Sequence, residues 1–88
     1  MKRLYVVVRG DLPVGLQMAQ ACHVARRFEG RPDEEENLVV LTVPTEARLW
    51  SLLWNASAHA EIAAFTEPDI GDQLTAIALR GTGVQKLV

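Results

Sequence analysis

Apolar and polar positions follow two different periods along the chain, and each change of period marks a new element. The run 4–8 is rich in valine and ends at the residues 9–11. Because this run is too short for a helix, it predicts a buried strand. After Pro13, apolar residues recur at helical spacing until the Gly-Arg-Pro at 30–32. This spacing predicts a helix from about residue 14 to residue 29.

The acidic stretch 33–37 separates that helix from a second apolar run, 38–43. This run is apolar on both faces, which predicts a central, doubly covered strand that lies parallel to the first. A second helix is expected to follow, with Thr45 as its N-cap and its end near residue 58. Its apolar side consists of Leu49, Trp50, Leu52, Leu53 and Ala56.

Two further short apolar runs, 62–65 and 74–79, flank a turn-rich loop at 68–72. Each run predicts a strand, so the order of elements is β-α-β-α-β-β. We expect one domain, residues 1–88, with an α/β fold. Helices should cover both faces of a four-stranded mixed sheet, which gives three layers, α/β/α.

Composition and charge limit the function classes. The 88 residues, 49% of them apolar and 23% charged, suffice for one folded core. The net charge of −2 argues against broad, non-specific nucleic-acid binding. The charges are uneven, however, because residues 1–31 hold six basic side chains against two acidic ones. This part of the chain is either a surface that faces phosphate or ordinary solvated surface. The six basic residues are Lys2, Arg3, Arg9, Arg26, Arg27 and Arg31.

The location of the protein is predicted from what its N-terminus lacks. The first apolar run is far shorter than the ~20 residues that span a membrane, and no cleavable signal pattern follows it. We therefore expect a cytoplasmic protein that does not insert into a membrane. Cys22 is the single cysteine, so neither an internal disulfide nor a paired-cysteine metal site is expected. No metal and no other cofactor is predicted.

The most informative segment runs from the first strand into the first helix. It contains an Arg-x-Asp-Leu turn, a glycine and then a Gln-x-x-His pattern. The matching residues are Arg9, Asp11, Leu12, Gly15, Gln20 and His23. This segment resembles the N-terminal motif of the type-2 peptidyl-tRNA hydrolases, in a short, bacterial-type form. The resemblance implies an α/β fold, a peptidyl-tRNA substrate and a homodimer.

A second match lies near the C-terminus, where residues 65–79 look like the acidic loop and last strand of the same family. Glu67 is the counterpart of the family's acidic residue, and Thr75 is the counterpart of its threonine. One departure concerns the lysine-rich stretch that members have after the turn, because Leu16 and Gln17 stand there instead. The family's mechanism therefore does not transfer intact.

Hydrolysis of an ester between a peptide and a ribose needs an activated water, donors for the developing oxyanion and a proton for the leaving hydroxyl. His23 is the natural general base, since an imidazole takes up a proton near neutrality. Glu67 or Asp69 is expected to orient His23 or to stabilise its charged form. Thr75 is expected to donate to a substrate oxygen. These four residues form the predicted catalytic set.

Each candidate also has a structural interpretation that the sequence leaves open. His23 is either the base or a partly buried side chain bonded to backbone, and Thr75 is either a substrate contact or a strand former. Gln20 shares a helical face with His23, where it either holds a water or ribose hydroxyl or is an ordinary surface residue. Asp11 either binds substrate or caps the first helix.

Other substrate contacts are expected from Arg9 and Arg27, and from free N–H groups beside Gly15 at the start of the first helix. Trp50 and Trp54 lie four residues apart on the second helix, and we expect them to pack in the core or at a dimer interface.

The leading hypothesis is metal-independent hydrolysis of peptidyl-tRNA by an activated water. The alternative is a catalytically inactive relative that keeps the fold as a binding or dimerisation module. A third possibility is hydrolysis of another small ester or amide.

Overall fold

A computed structural model gives the fold of the chain and describes residues 3–27, 37–58, 60–81 and 83–88. Within these ranges the chain forms four strands, two helices and two short 3-10 segments. The order of elements matches the prediction. The elements are β1 (Arg3–Arg9), α1 (Val14–Arg27), β2 (Asn37–Val43), α2 (Glu46–Ala56), β3 (Glu61–Glu67), η1 (Pro68–Ile70), β4 (Gln73–Arg80) and η2 (Val84–Lys86).

The four strands form one mixed sheet in the order β2-β1-β4-β3. β1 is parallel to β2 and antiparallel to β4, and β4 is antiparallel to β3. The parallel pair confirms the predicted βαβ unit. α1 packs on one face of the sheet and α2 on the other. The predicted α/β fold, a four-stranded mixed sheet between two helical layers, is therefore confirmed.

Alternation along β1 and β4 divides the core into two clusters. On the α2 side, Leu49 of the helix packs with Ile77 and Leu79 of β4. On the α1 side, Val24 packs with smaller residues, among them Ala76 and Ala78. Small side chains allow a helix to lie close to the sheet, so α1 rests directly on β4. This close approach positions the site described below.

The ends of the helices follow local rules. The Thr45 hydroxyl accepts a hydrogen bond from the Arg48 N–H at 3.2 Å, which confirms the predicted N-cap of α2. α2 ends at Ala56, and the Ser57 hydroxyl donates to the Trp54 carbonyl at 2.9 Å. α1 extends to Arg27 among the described residues. Residues 28 and 29 of the predicted helix lie outside them.

β2 corrects one expectation, because it lies at an edge of the sheet and is not central. Its odd residues pack beneath α2, but its even residues face a side of the sheet that α1 leaves open, since α1 packs mainly on β1, β3 and β4. Leu38 and Val40 are therefore more than half exposed. With Val14 and Met18 of α1 they line a groove of about 340 Å³.

The tryptophans of α2 also differ from the prediction of core packing. Trp54 is 74% exposed and Trp50 is 41% exposed. The indole N–H of Trp50 donates to the Glu46 carboxylate at 3.3 Å. The core position is wrong for both residues, and the dimer interface stays a prediction. Across the part of the chain that the structure describes, neither helix is long and apolar enough to cross a membrane.

Candidate functional site

The candidate site lies where α1 crosses β3 and β4. Gln20 and His23 are three residues apart and share one face of α1. Phe65 and Glu67 are two residues apart on β3, so both side chains point toward α1. Thr75 completes the group from β4. Four residues that the sequence singled out, namely Gln20, His23, Glu67 and Thr75, are thus brought together from three elements.

A β-bulge in β4 brings Thr75 to this side of the sheet. Phe65 pairs with Ala76 and Thr66 pairs with Leu74, so Thr75 is an extra residue opposite that step of β3. Leu74 consequently packs in the α2 cluster, whereas Thr75 and Ala76 both face α1. The bulge thus turns the Thr75 hydroxyl toward α1 and Leu74 toward α2, while residues from Ala76 onward keep their regular alternation.

The polar side chains of the site form one chain of hydrogen bonds. The Thr75 hydroxyl lies 3.2 Å from the Gln20 Oε1 and 3.2 Å from the Phe65 carbonyl oxygen. The Gln20 Nε2 donates to the Glu67 Oε2 at 2.8 Å. Gln20 is 1% exposed and Thr75 is fully buried. Gln20 is therefore an internal link between Thr75 and Glu67, and its amide is not a surface group.

Glu67 is held in its ionised form. The Gln20 amide lowers the pKa of this carboxyl most, the backbone N–H of Asp69 lowers it further, and the charge of His23 adds to the effect. The Asp69 N–H lies 3.3 Å from the Glu67 Oε1 at the start of η1. Asp69 thus contributes its backbone to Glu67, while its own side chain is exposed. Of the two acids predicted to assist His23, Glu67 is the one that shares a face of β3 with Phe65, the residue on which His23 stacks.

His23 lies on the surface and stacks on an aromatic ring. Its imidazole and the Phe65 ring have centroids 4.9 Å apart and planes inclined by 13°. One turn later on α1, the Arg27 guanidinium carbon lies 4.8 Å from the Phe65 centroid. Arg27 also donates to the Ala64 carbonyl at 3.4 Å. The imidazole and the guanidinium of this face are therefore both anchored on β3.

Arg9 and Asp11, both predicted to bind substrate, form an ion pair beside this cluster. The Arg9 guanidinium donates to both Asp11 carboxylate oxygens, at 3.0 and 2.8 Å. It also donates to the Gln73 side chain at 2.7 Å and to the Leu74 carbonyl at 3.4 Å. The pair raises the pKa of Arg9 and lowers that of Asp11. Arg9 is only 8% exposed. Its contacts with Gln73 and Leu74 join the end of β1 to the start of β4.

The same contacts correct the capping role considered for Asp11. Its carboxylate accepts both bonds from Arg9 of β1, and among the described residues no backbone N–H of the first turn of α1 donates to it. The turn is closed instead by Gln17, whose amide donates to the Leu12 carbonyl at 2.7 Å and to the Gly10 carbonyl at 3.3 Å. Gly15 is exposed in the first turn of α1, away from the hydrogen-bonded chain.

Two further residues of the site were not predicted. Phe65 was assigned only to a strand, although its position two residues before Glu67 places both on one face. Glu46 accepts from the Leu74 N–H at 2.9 Å and so fixes the start of β4 from the α2 side. Its position in the first turn of α2 gave no signal of that long-range contact.

Arg31, part of the basic cluster in the sequence, lies outside the described residues.

No group of three or more His, Cys, Asp or Glu side chains is placed to hold a metal ion within residues 3–27, 37–58, 60–81 and 83–88. The site consists of a base, an ionised acid and two neutral polar groups. This set can accept a proton from water and stabilise the positive charge that results. No protein-family model matches the chain, and no curated protein matches it.

Proposed function

We propose that the protein hydrolyses the ester bond between a peptide and the terminal ribose of tRNA. The observation that carries this proposal is an exposed imidazole, His23, that stacks on Phe65, with the Glu67 carboxylate two residues further along the same face of β3. The resemblance of the Arg9-to-His23 segment to type-2 peptidyl-tRNA hydrolases supports the choice of substrate.

In the proposed reaction His23 accepts a proton from a water molecule. The oxygen of that water attacks the ester carbonyl carbon, and the bond between this carbon and the ribose oxygen then breaks. The proton passes from the imidazolium to the ribose oxygen, which leaves as a hydroxyl. Glu67 stabilises the imidazolium through its negative charge. The products are a free peptide acid and a deacylated tRNA.

Gln20 and Thr75 take roles in this proposal that differ from the sequence-based ones. Both are buried, so they orient Glu67 and do not meet the substrate. Gln17 uses its amide to close the turn, and it stands where the family carries a lysine-rich stretch. The free backbone N–H groups near Gly15 at the start of α1 lie eight residues before His23, about 12 Å along the helix axis. They are therefore proposed to contact a phosphate of the substrate and not the oxyanion.

The test measures release of labelled peptide from peptidyl-tRNA by the purified protein. We expect turnover by the wild type and a loss of roughly 10²- to 10⁴-fold in kcat for His23→Ala, the usual contribution of a general base. His59→Ala, which removes the other histidine, is the matched control and should keep full activity. Wild-type protein that is folded but gives no turnover would overturn the proposal and favour a binding module.

A further inference from the structure

The face of α1 that carries His23 has the features of a nucleobase platform. The imidazole lies almost parallel to the Phe65 ring, with a 13° angle between the planes. One face of the imidazole is therefore covered by Phe65, and because His23 is exposed, its other face is open to solvent. A planar ligand placed there would continue the stack.

Positive charge lies one helical turn further along α1, on the same side of the helix. Arg27 is held over the Phe65 ring at 4.8 Å from the centroid and is itself exposed. Arg26, the preceding residue in the last turn of α1, is exposed as well. An aromatic plane next to a guanidinium matches the two parts of a nucleotide, since a base offers a π-face and its phosphate carries a negative charge.

We propose that this platform binds the unpaired 3′ end of an RNA. The terminal base stacks on the open face of His23, and the phosphate that precedes it contacts Arg27. The inference rests on the proposed function for the choice of RNA, and it adds which part of the substrate is recognised and by which residues. Stacking of the terminal base on the imidazole would bring the ribose of that nucleotide close to His23. The scissile ester of peptidyl-tRNA is carried by that ribose.

The experiment measures the affinity of a fluorescently labelled, single-stranded oligoadenylate by anisotropy. His23→Ala removes the platform, and we expect it to weaken binding roughly 5- to 150-fold, the range for loss of one base stack. His23→Phe keeps an aromatic plane and should bind like the wild type, although it has no base for hydrolysis. Trp54→Ala, which removes an exposed ring on the other helix, is the matched control and should leave affinity unchanged.

A second probe separates stacking from charge. An oligoadenylate whose terminal nucleotide lacks its base keeps its phosphates but cannot stack, so its affinity should not change between wild type and His23→Ala. Arg27→Gln should reduce the slope of log affinity against log salt by about 0.7, as expected for one phosphate contact on a single strand. Circular dichroism of each variant verifies that it is folded.

The outcomes distinguish this proposal from the proposed hydrolysis. Equal affinity of wild type and His23→Ala for oligoadenylate would overturn the platform, even if His23→Ala were inactive in hydrolysis. Weaker binding by His23→Ala together with normal binding by His23→Phe would support the platform, even if the wild type hydrolysed nothing. A loss of affinity in Trp54→Ala alone would place the RNA on α2 and also overturn the proposal.

Discussion

Replacing Thr75 by valine tests the hydrogen-bonded chain of the site most directly. Valine has nearly the same shape and strand preference as threonine, so the change removes the hydroxyl and little else. That hydroxyl carries a single hydrogen, and two acceptors lie at 3.2 Å, the Gln20 Oε1 and the Phe65 carbonyl. One hydrogen bond is therefore lost at any moment, not two.

The magnitude follows from the burial of these groups. Thr75 is fully buried and Gln20 is 1% exposed, so water does not replace the missing donor. Leaving a buried acceptor without its partner costs about 1–3 kcal/mol. For a domain of this size, 1 kcal/mol corresponds to roughly 4–8 °C in Tm. We expect Thr75→Val to lower the Tm by several degrees or more.

Thermal unfolding measures the change in Tm, and urea unfolding measures the change in the free energy of unfolding. Both are followed by tryptophan fluorescence and circular dichroism. Thr75→Ser is the matched control, because it keeps the hydroxyl and loses one buried methyl group, at a cost of about 0.5–1.5 kcal/mol. The reasoning requires the serine variant to be the more stable of the two. Equal stability of wild type and Thr75→Val would refute it, as would a serine variant as unstable as the valine variant.

Three other predictions concern stability. The pKa values of Asp11 and Glu67 are lowered below their ordinary 3.8 and 4.5, so both carboxyls stabilise the fold above those values and this contribution disappears as the pH falls through the lowered ones. Urea midpoints measured in acid should therefore fall less steeply in Asp11→Asn and Glu67→Gln than in the wild type. Arg9→Lys keeps the charge but loses the two-pronged contact with Asp11, so its Tm should lie between those of the wild type and Arg9→Ala. Leu49→Ala, on the α2 side, should lower the free energy of unfolding by about 2–5 kcal/mol and leave kcat unchanged at temperatures where the variant is folded.

The order of elements was predictable because it depends on local rules. The spacing of apolar positions distinguishes strands from helices. The Thr45 N-cap depends only on residues within one turn of α2. The position of β2 was not predictable in this way. An apolar run such as 38–43 has the same pattern whether its neighbours cover both faces or one. The edge position follows from where α1 lies, which depends on contacts between distant segments.

In the site, too, local spacing predicts the position of some residues, and pairing between distant strands decides the position of others. The spacing of Gln20 and His23 fixes their common face from sequence alone. Strict alternation along β4, in contrast, places Thr75 on the side of Ile77 and Leu79, opposite to where it lies. The bulge reverses this assignment, and its cause is the pairing with β3, which no local pattern contains. Only the family resemblance singled out Thr75.

The start of β4 is held both by α2 and by the end of β1, and this has a consequence for how the site opens. The Leu74 N–H donates to Glu46 of α2, and the Leu74 carbonyl accepts from Arg9 at the end of β1. Thr75 is the next residue, so it cannot separate from Gln20 by fraying of the strand end alone. Amide hydrogen exchange at Leu74 should therefore occur through opening of a larger unit that includes the docking of α2. The polar cluster would then have the slow exchange of the core, although the imidazole beside it is on the surface.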